Sequence, residues 1–523
     1  MSDYIIVGLV AAFAAAIHRA AILWMYRSWF RQGFAGDAAF HLAVIRQIKR
    51  TGSFAGVEDF LIIDEPDAYP ILFHRIGALF PAMLIERHPY VVNAALWVAL
   101  NVGSAAYVQY VSAQLLHFPG FVTALAFLGL FLGLASNLSL DMNGLNYISL
   151  SERMLARYAC AFFFLAISIA MNFGDGISYL MAFVAGTIAL MTSFFSRQSI
   201  AFVTVLSSLF LWNQAPIAVL LASFLAASVI ERQYLWRSIR HMIQFSKMYN
   251  RFTKHSRYYK LGLSRFVNLK TAFWTRTGLS QRLAELENHE PTRVIFRYPE
   301  LLLILVGTQL GSLEAPLVAI VVSTLIVYAL TSTESFRHLG EANRYLEYNL
   351  WLLLPAFLAI EWSNGRLSVV TLAVYGGWVG LVTFRRYVLW WGLKYPERDE
   401  LRDFISDVEI GSKDTIFCVP MQLASAVHAR KQCRALMWQG SSWNISLYEK
   451  FIEELPYLKR DWRNLAVEYS IKWIVVENSF VTLTPGLLNW SYDFGGLSKV
   501  AETERYTAYA VPAGFDQNSR TLT

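Results

Sequence analysis

The chain has 523 residues, 55% of them hydrophobic and only 16% charged, with a formal net charge of +7 and a mean hydropathy of +0.39. Its apolar residues run in long blocks separated by short polar stretches, the profile of a polytopic helical membrane protein rather than of a soluble domain. Cys160, Cys418 and Cys433 are too few and too scattered for a disulfide framework or a zinc site.

A helix needs about 20 apolar residues to cross a bilayer, fewer where neighbouring helices cover it. Residues 4–25 form the first such stretch. They have no basic leader and no signal-peptidase-like site behind them, so the expectation is an uncleaved first span. A polar stretch follows, and then residues 69–85, apolar but carrying His74, Arg75 and Pro81, which either cross or lie flat in the interface. Further spans are expected over 91–116, 121–140, 155–173, 177–195, 200–212, 216–230, 301–310, 316–330, 348–360 and 368–391. About ten to twelve crossings result.

Between residues 231 and 300 the chain turns basic, RQYLWRSIRHMIQFSKMYNRFTKHSRYYKLGLSRFVNLK, with aromatics among the cations. Amphipathic helices resting on anionic headgroups explain this composition better than nucleic-acid binding does, and no nucleic-acid partner is expected. The positive-inside rule would set the segment in the cytoplasm. If residues 69–85 cross, that segment and the first loop fall on opposite faces of the membrane; if they lie flat, the two share a face.

From about Pro396 short β-rich runs, DTIFCVP, RALMWQG and IKWIVVENSF, alternate with helical patterns, LASAVHARKQ and SLYEKFIEELPYLKRDW, before a hairpin-like VAETERYTAYAVP. Such alternation predicts a small α/β domain with a largely parallel sheet. The expected organisation is a mainly α, polytopic bundle over 1–395, with interfacial helices in a first extracytoplasmic loop at 26–70 and the basic interfacial segment at 232–298. A soluble α/β domain over 396–523 completes it.

Chemistry-bearing residues concentrate after the first span. In GDAAFHLAVIRQIKRTG, helical spacing puts Phe40, Val44 and Ile48 on one face, with Arg46, Lys49 and Arg50 in the last turn before Gly52. Asp37 at the start of this helix, four residues before His41, either complements the macrodipole or is a functional carboxylate. Asp64, Glu65 and Asp67 follow in DEPD, which is good turn chemistry and equally a cluster able to raise one carboxyl pKa or hold a cation. Tyr69 and the pair His74-Arg75 come next. Arg153, Arg157 and Arg197 interrupt or open apolar segments, where an arginine is either an anchor or an anion site. Glu341 and Arg344, beside Tyr345, are spaced for an intrahelical ion pair. There is no Walker-type loop, dinucleotide fingerprint, nucleophile elbow or metal-ligand spacing of His and Cys.

Taken together, Gly36-Asp37 after the first span, Tyr69-Pro70-Ile71-Leu72-Phe73-His74 leading toward the next, and Arg344-Tyr345-Leu346-Glu347-Tyr348 with the following LWLLLP resemble the GT-C superfamily of integral membrane glycosyltransferases. The resemblance implies a transferase that moves a sugar from a polyprenyl-phosphate-linked donor to an acceptor hydroxyl on a glycan, lipid or protein, with inversion. It implies Asp37 as general base, with His41, Asp64, Glu65, Asp67, Tyr69, His74, Arg75, Arg153, Arg197, Glu341, Arg344 and Tyr345 around substrate or donor phosphate. The family's frequent Asp-Asp pair stands here as Gly36-Asp37, so a divalent cation, Mg or Mn, near the acidic loop is open and no other cofactor is expected. Membrane lipids are further partners, and the expected setting is a bacterial plasma membrane with the site on the extracytoplasmic side. A transporter or flippase of a lipid-linked saccharide is the rival, although transporters favour internal repeats and midplane charges. A non-catalytic scaffold presenting the tail domain is a third reading.

Overall fold

The computed structural model describes residues 2–25, 38–52, 69–115, 150–255, 315–333, 335–340, 342–363, 400–421, 423–436, 461–482 and 491–512, with isolated positions in 294–301 and 368–381 and at 450. In chain order its helices are α1 (Ser2–Met25), α2 (Ala38–Thr51), α3 (Leu72–Ala78), α4 (Ala82–Arg87), α5 (Tyr90–Tyr110), α6 (Arg153–Phe173), α7 (Gly176–Thr192), α8 (Phe194–Leu211), α9 (Ala215–Glu231), α10 (Gln233–His255), α11 (Ala315–Thr331) and α12 (Ala342–Ser363). Beyond them come α13 (Glu400–Asp407), α14 (Leu423–Lys431) and α15 (Trp462–Tyr469).

Helix α6 is apolar on every face, as its RMLARYACAFFFLAISIAMNF sequence requires of a central element, and it is buried along almost its whole length. Against it pack α7 and α12, while α1 lies along α5, α9 along α7, and α11 along α8. Gly174 ends α6 with φ 65°, the left-handed conformation that lets the chain reverse. Asp175 then caps α7 by accepting from the Ser178 amide at 2.7 Å, and also takes the Tyr110 hydroxyl at 2.9 Å, fixing the start of α7 to the end of α5. At Gly186 the helices approach so closely that a Cβ would lie 2.6 Å from Ser223 Oγ and 3.1 Å from the Phe163 ring.

Residues Tyr90–Leu115, Arg153–Phe173 and Phe194–Leu211 are long and apolar enough to cross a membrane, and α9 with the start of α10 forms a bent pair of the same kind. Helices α7 and α11 are equally apolar but shorter. The mainly helical, membrane-compatible body expected from the sequence is therefore present. Expected spans at 121–140, and at 301–310 and 368–391 apart from isolated positions, lie outside the described residues. The expected span at 177–195 stops at Thr192, because Ser193 turns outward and makes a reciprocal capping box with Ser196.

Residues 69–85 do not cross. They form α3 and α4, of 7 and 6 residues, separated by a corner at Leu79–Pro81. At 1.5 Å per residue each is about 10 Å long, far below the ~30 Å hydrocarbon thickness. The consequence follows by counting helix ends: α6 and α8 begin, and α7 and α9 end, on the face where α3 lies, so α10 starts there too. Tyr234 at the start of α10 donates its hydroxyl to the Tyr69 carbonyl. Residues 38–52 and the start of α10 thus lie at the same end of the helical bundle. Helix α10 also rests partly on protein, burying Leu235, Ser238 and Met248 while leaving Trp236 and Ile243 exposed.

The C-terminal strands are β1 (Thr415–Val419), β2 (Arg434–Ala435), β3 (Trp473–Glu477), β4 (Ser498–Glu502) and β5 (Tyr506–Ala510), in the order β2-β1-β3-β5-β4. β1 pairs parallel with β2 and β3, and β5 pairs antiparallel with β3 and β4. The sheet is therefore mixed rather than largely parallel: a tight hairpin, β4–β5, can only return antiparallel. β1 alternates Ile416 and Cys418 into one core with Phe404 and Val427, and Phe417 and Val419 into another with Trp462, Leu465 and Met248 of α10. Burial on both faces explains why β1 and β3 read as continuous apolar runs. Helix α14 meets α2 through Ala429, so this unit packs at the α2 end of the bundle.

Candidate functional site

That end of the bundle gathers a compact polar array from three distant segments. Helix α2 brings His41 in its first turn, the strand-like Tyr69-Pro70 leads into α3 with His74, and Ser151-Glu152 stands at the head of α6. Phe40 and Phe73 flank the rings edge-on, and Phe194 at the head of α8 packs edge-on against Tyr69 with centroids 5.3 Å apart. His41 is 2%, His74 0% and Glu152 6% exposed, so each polar atom here must be satisfied by protein.

Glu152 is the acceptor at the centre. Its carboxylate takes Tyr69 OH at 2.7 Å, Ser151 Oγ at 3.2 Å and His41 Nε2 at 2.9 Å. His41 Nδ1 lies 2.8 Å from His74 Nε2, the two rings stacked with centroids 5.1 Å apart. His74 Nδ1 faces the Pro70 carbonyl at the margin of hydrogen-bond geometry. Burial first, then the neighbouring His41, pushes His74 well below the usual histidine range. Burial alone would raise Glu152, but His41, Arg153 and the Tyr69 hydroxyl together hold it well below the usual carboxylate range.

Around the array the sequence-derived residues fall into two groups. Arg75 on α3 is exposed, and Arg153 and Arg344 are partly exposed at the heads of α6 and α12. Arg344 lays its guanidinium over the Phe195 ring at 3.7 Å. Arg197, by contrast, is buried and turned inward, donating to the Leu190 carbonyl and Ser238 Oγ with Glu231 at 3.8 Å, so it ties α8 to α7, α9 and α10. Tyr345 is likewise buried and donates to the Leu339 carbonyl at 2.6 Å. Arg157 pairs with Glu347 at 2.6 Å, joining α6 to α12. The His74 ring, unlike Arg75 beside it, is sealed within the protein.

Asp37, Asp64, Glu65, Asp67 and Glu341 lie outside the described residues; Asp37 directly precedes the buried Ala38 in sequence. Among the described residues no group of three or more His, Cys, Asp or Glu side chains is arranged to hold a metal. Glu152, the acceptor that organises the array, is absent from the site expected from sequence. An acid before a helix reads as a dipole complement, and nothing in one dimension pairs it with a histidine 111 positions earlier.

No protein-family model matches the sequence, and neither does any curated protein. Among solved structures, the chain is similar over nearly its full length to ArnT from Cupriavidus metallidurans in the apo state, with a TM-score of 0.40, 14% identity, and coverage of 94% of this chain and 96% of that one. It is similar also to the same protein bound to undecaprenyl phosphate, with a TM-score of 0.38, 14% identity and 98% of each chain covered.

Proposed function

We propose that this chain is an integral membrane glycosyltransferase that moves a sugar from a polyprenyl-phosphate-linked donor to an acceptor hydroxyl with inversion. The observation that supports the reading is the convergence of His41 from GDAAFHLAV, Tyr69 and His74 from YPILFH, and Glu152 from the head of α6 into one buried array at one end of the helical bundle. The array anchors the start of α2, and with it the chain position that Asp37 immediately precedes.

In the proposed reaction the Asp37 carboxylate takes the acceptor hydroxyl proton as the oxygen attacks the anomeric carbon. The bond from that carbon to the phosphate oxygen breaks, and the electron pair leaves with polyprenyl phosphate. Arg75, Arg153 and Arg344 are the cations suited to receive the developing phosphate charge, since their side chains reach the surface. A divalent cation would depend on Asp64, Glu65 and Asp67, and no step above runs through it. The proposed setting is the extracytoplasmic side of a bacterial plasma membrane.

The test is Asp37→Asn in proteoliposomes supplied with a polyprenyl-phosphate sugar, with folding checked by thermal unfolding. Loss of a general base lowers the transfer rate by about 10²–10⁴-fold. Folded protein transferring sugar at the wild-type rate would overturn the assignment.

A further inference from the structure

Helix α10 has two faces with different surroundings. On the inner one Leu235, Ser238, His241 and Met248 are buried. There Ser238 receives Arg197, Tyr234 donates to the Tyr69 carbonyl, Ser246 donates to the His338 carbonyl at 2.8 Å, and Met248 enters the core of the sheet domain. The outer face is exposed and carries Trp236, Arg240, Ile243 and Lys247 at the four- and three-residue spacing of one helical stripe, with Arg237 beside it.

The charge of this outer face has one sign. Helix α10 contains no Asp or Glu, and among the described residues Arg237, Arg240 and Lys247 form no ion pair or hydrogen bond. The carboxylate nearest in sequence, Glu231, is turned inward with its side chain fully buried, 3.8 Å from Arg197. Between the cations stand Trp236 and Ile243, 58% and 49% exposed.

The packing of α10 sets these side chains beside an apolar belt. On α9, Leu221, Leu225 and Val229 recur every fourth residue and are 57%, 65% and 76% exposed, an outward row of the kind a spanning helix offers to lipid. From Tyr234 the chain turns 112° from α9, past the perpendicular, so α10 crosses the end of that helix and leans back toward it. Trp236 meets Phe224 edge-on with centroids 5.3 Å apart. Phe224 lies seven residues, about 10 Å, inside the end of α9. The Trp236 ring is therefore level with Leu225, within the apolar row, and tryptophan is suited to the boundary between headgroups and acyl chains.

We propose that the outer face of α10 is a binding surface for anionic lipid headgroups. Trp236 and Ile243 sit among the acyl chains, Arg237, Arg240 and Lys247 take the phosphates, and the bilayer thereby braces the joint that the inner face makes between the bundle, Tyr69 and the sheet domain. A nucleic acid or an acidic protein would match the cations, but not apolar side chains set level with the exposed row of α9.

Cys160, Cys418 and Cys433 are buried, so a fluorophore on an Ile243→Cys variant reports this face alone. The protein is placed in nanodiscs of phosphatidylcholine and phosphatidylglycerol in equal amounts, with bromine on the acyl chains of one or the other. Brominated phosphatidylglycerol is expected to quench with a relative affinity at least about fivefold above that of brominated phosphatidylcholine, the worth of one cation at such a surface. Adding Arg237→Gln, Arg240→Gln and Lys247→Gln should bring the two lipids close to equal. It should also remove the rise in unfolding temperature that phosphatidylglycerol gives the wild-type chain, while leaving unfolding in phosphatidylcholine alone unchanged. An Arg237→Lys/Arg240→Lys variant keeps both effects. A fluorophore quenched by neither lipid would overturn the proposal, because the face would then lie in water or against a macromolecule. So would a lipid preference or a stabilisation that neutralisation leaves intact. Neither readout involves sugar transfer, so failure here leaves the transferase reading standing.

Discussion

Replacing Glu152 with Gln tests whether the buried array holds the loop as described. The substitution keeps the shape and removes the charge. Glutamine can turn its carbonyl oxygen to His41 Nε2 and donate its NH₂ to the Tyr69 oxygen, so the hydrogen-bond count nearly survives. What is lost is the carboxylate charge that His41 Nε2, the Tyr69 hydroxyl and the neighbouring Arg153 stabilise inside a buried site. Removing one partner of a buried ion pair costs about 3–5 kcal/mol, and the surviving hydrogen bonds place this case near 3 kcal/mol. The pH dependence has a definite sign. Glu152 is held below its ordinary value of 4.5, so its contribution is complete above about pH 4.5 and fades as pH falls from there toward the folded-state value. His74 is held below its ordinary 6.5, so the unfolded chain binds more protons below that pH and wild type starts to lose stability from about pH 6.5 downward. The assay is the thermal unfolding midpoint of purified protein at one scan rate, followed from neutral pH into acid. The variant should unfold several degrees below wild type at pH 7, and the gap should narrow below about pH 4.5. Coincident midpoints at pH 7, or a gap that widens in acid, would refute the charge assignment.

Arg157→Met leaves the Glu347 carboxylate buried without its guanidinium, a cost of about 3–5 kcal/mol read as a lower unfolding midpoint, and adding Glu347→Leu should recover most of it because an apolar pair needs no desolvation repayment. Gly186→Ala should destabilise by about 1–3 kcal/mol, since the added methyl meets Ser223 and the Phe163 ring at the crossing of α6, α7 and α9; an unchanged midpoint would show that the crossing can relax.

The fold was legible wherever one element's own pattern settles its fate. Helix α6 declares itself by its long apolar run, β1 and β3 by short continuous apolar runs, and the β4–β5 hairpin by its strand lengths. Residues 69–85 were ambiguous because apolar composition does not distinguish a span from two short interfacial helices, and the Pro81 corner decides the matter by its geometry. The expected hairpin already implied one antiparallel pair; what the sequence did not show is that β5 joins it to the edge of β3 in the same sheet, which makes the sheet mixed. At the site, His41, Tyr69 and His74 could be picked out as polar residues in an apolar setting, but Glu152 could not. Its meaning comes only from the side chains that fold onto it.

The same limit applies to the arginines, and burial separates what the sequence lumps together. A guanidinium in a membrane-facing protein must spend its donors somewhere. Arg197 donates to Leu190 and Ser238 and faces Glu231 at 3.8 Å, and Arg157 donates to Glu347, each side chain buried at the junction of several helices. An anion arriving from outside would have to break those contacts before it could bind. Arg75, Arg153 and Arg344 instead reach the surface around the array, and Arg344 holds its plane flat on Phe195, a contact that leaves the guanidinium edge directed away from the ring. Under the proposed reaction, phosphate recognition therefore belongs to Arg75 of α3 and to the heads of α6 and α12, which the buried Arg157–Glu347 pair holds together.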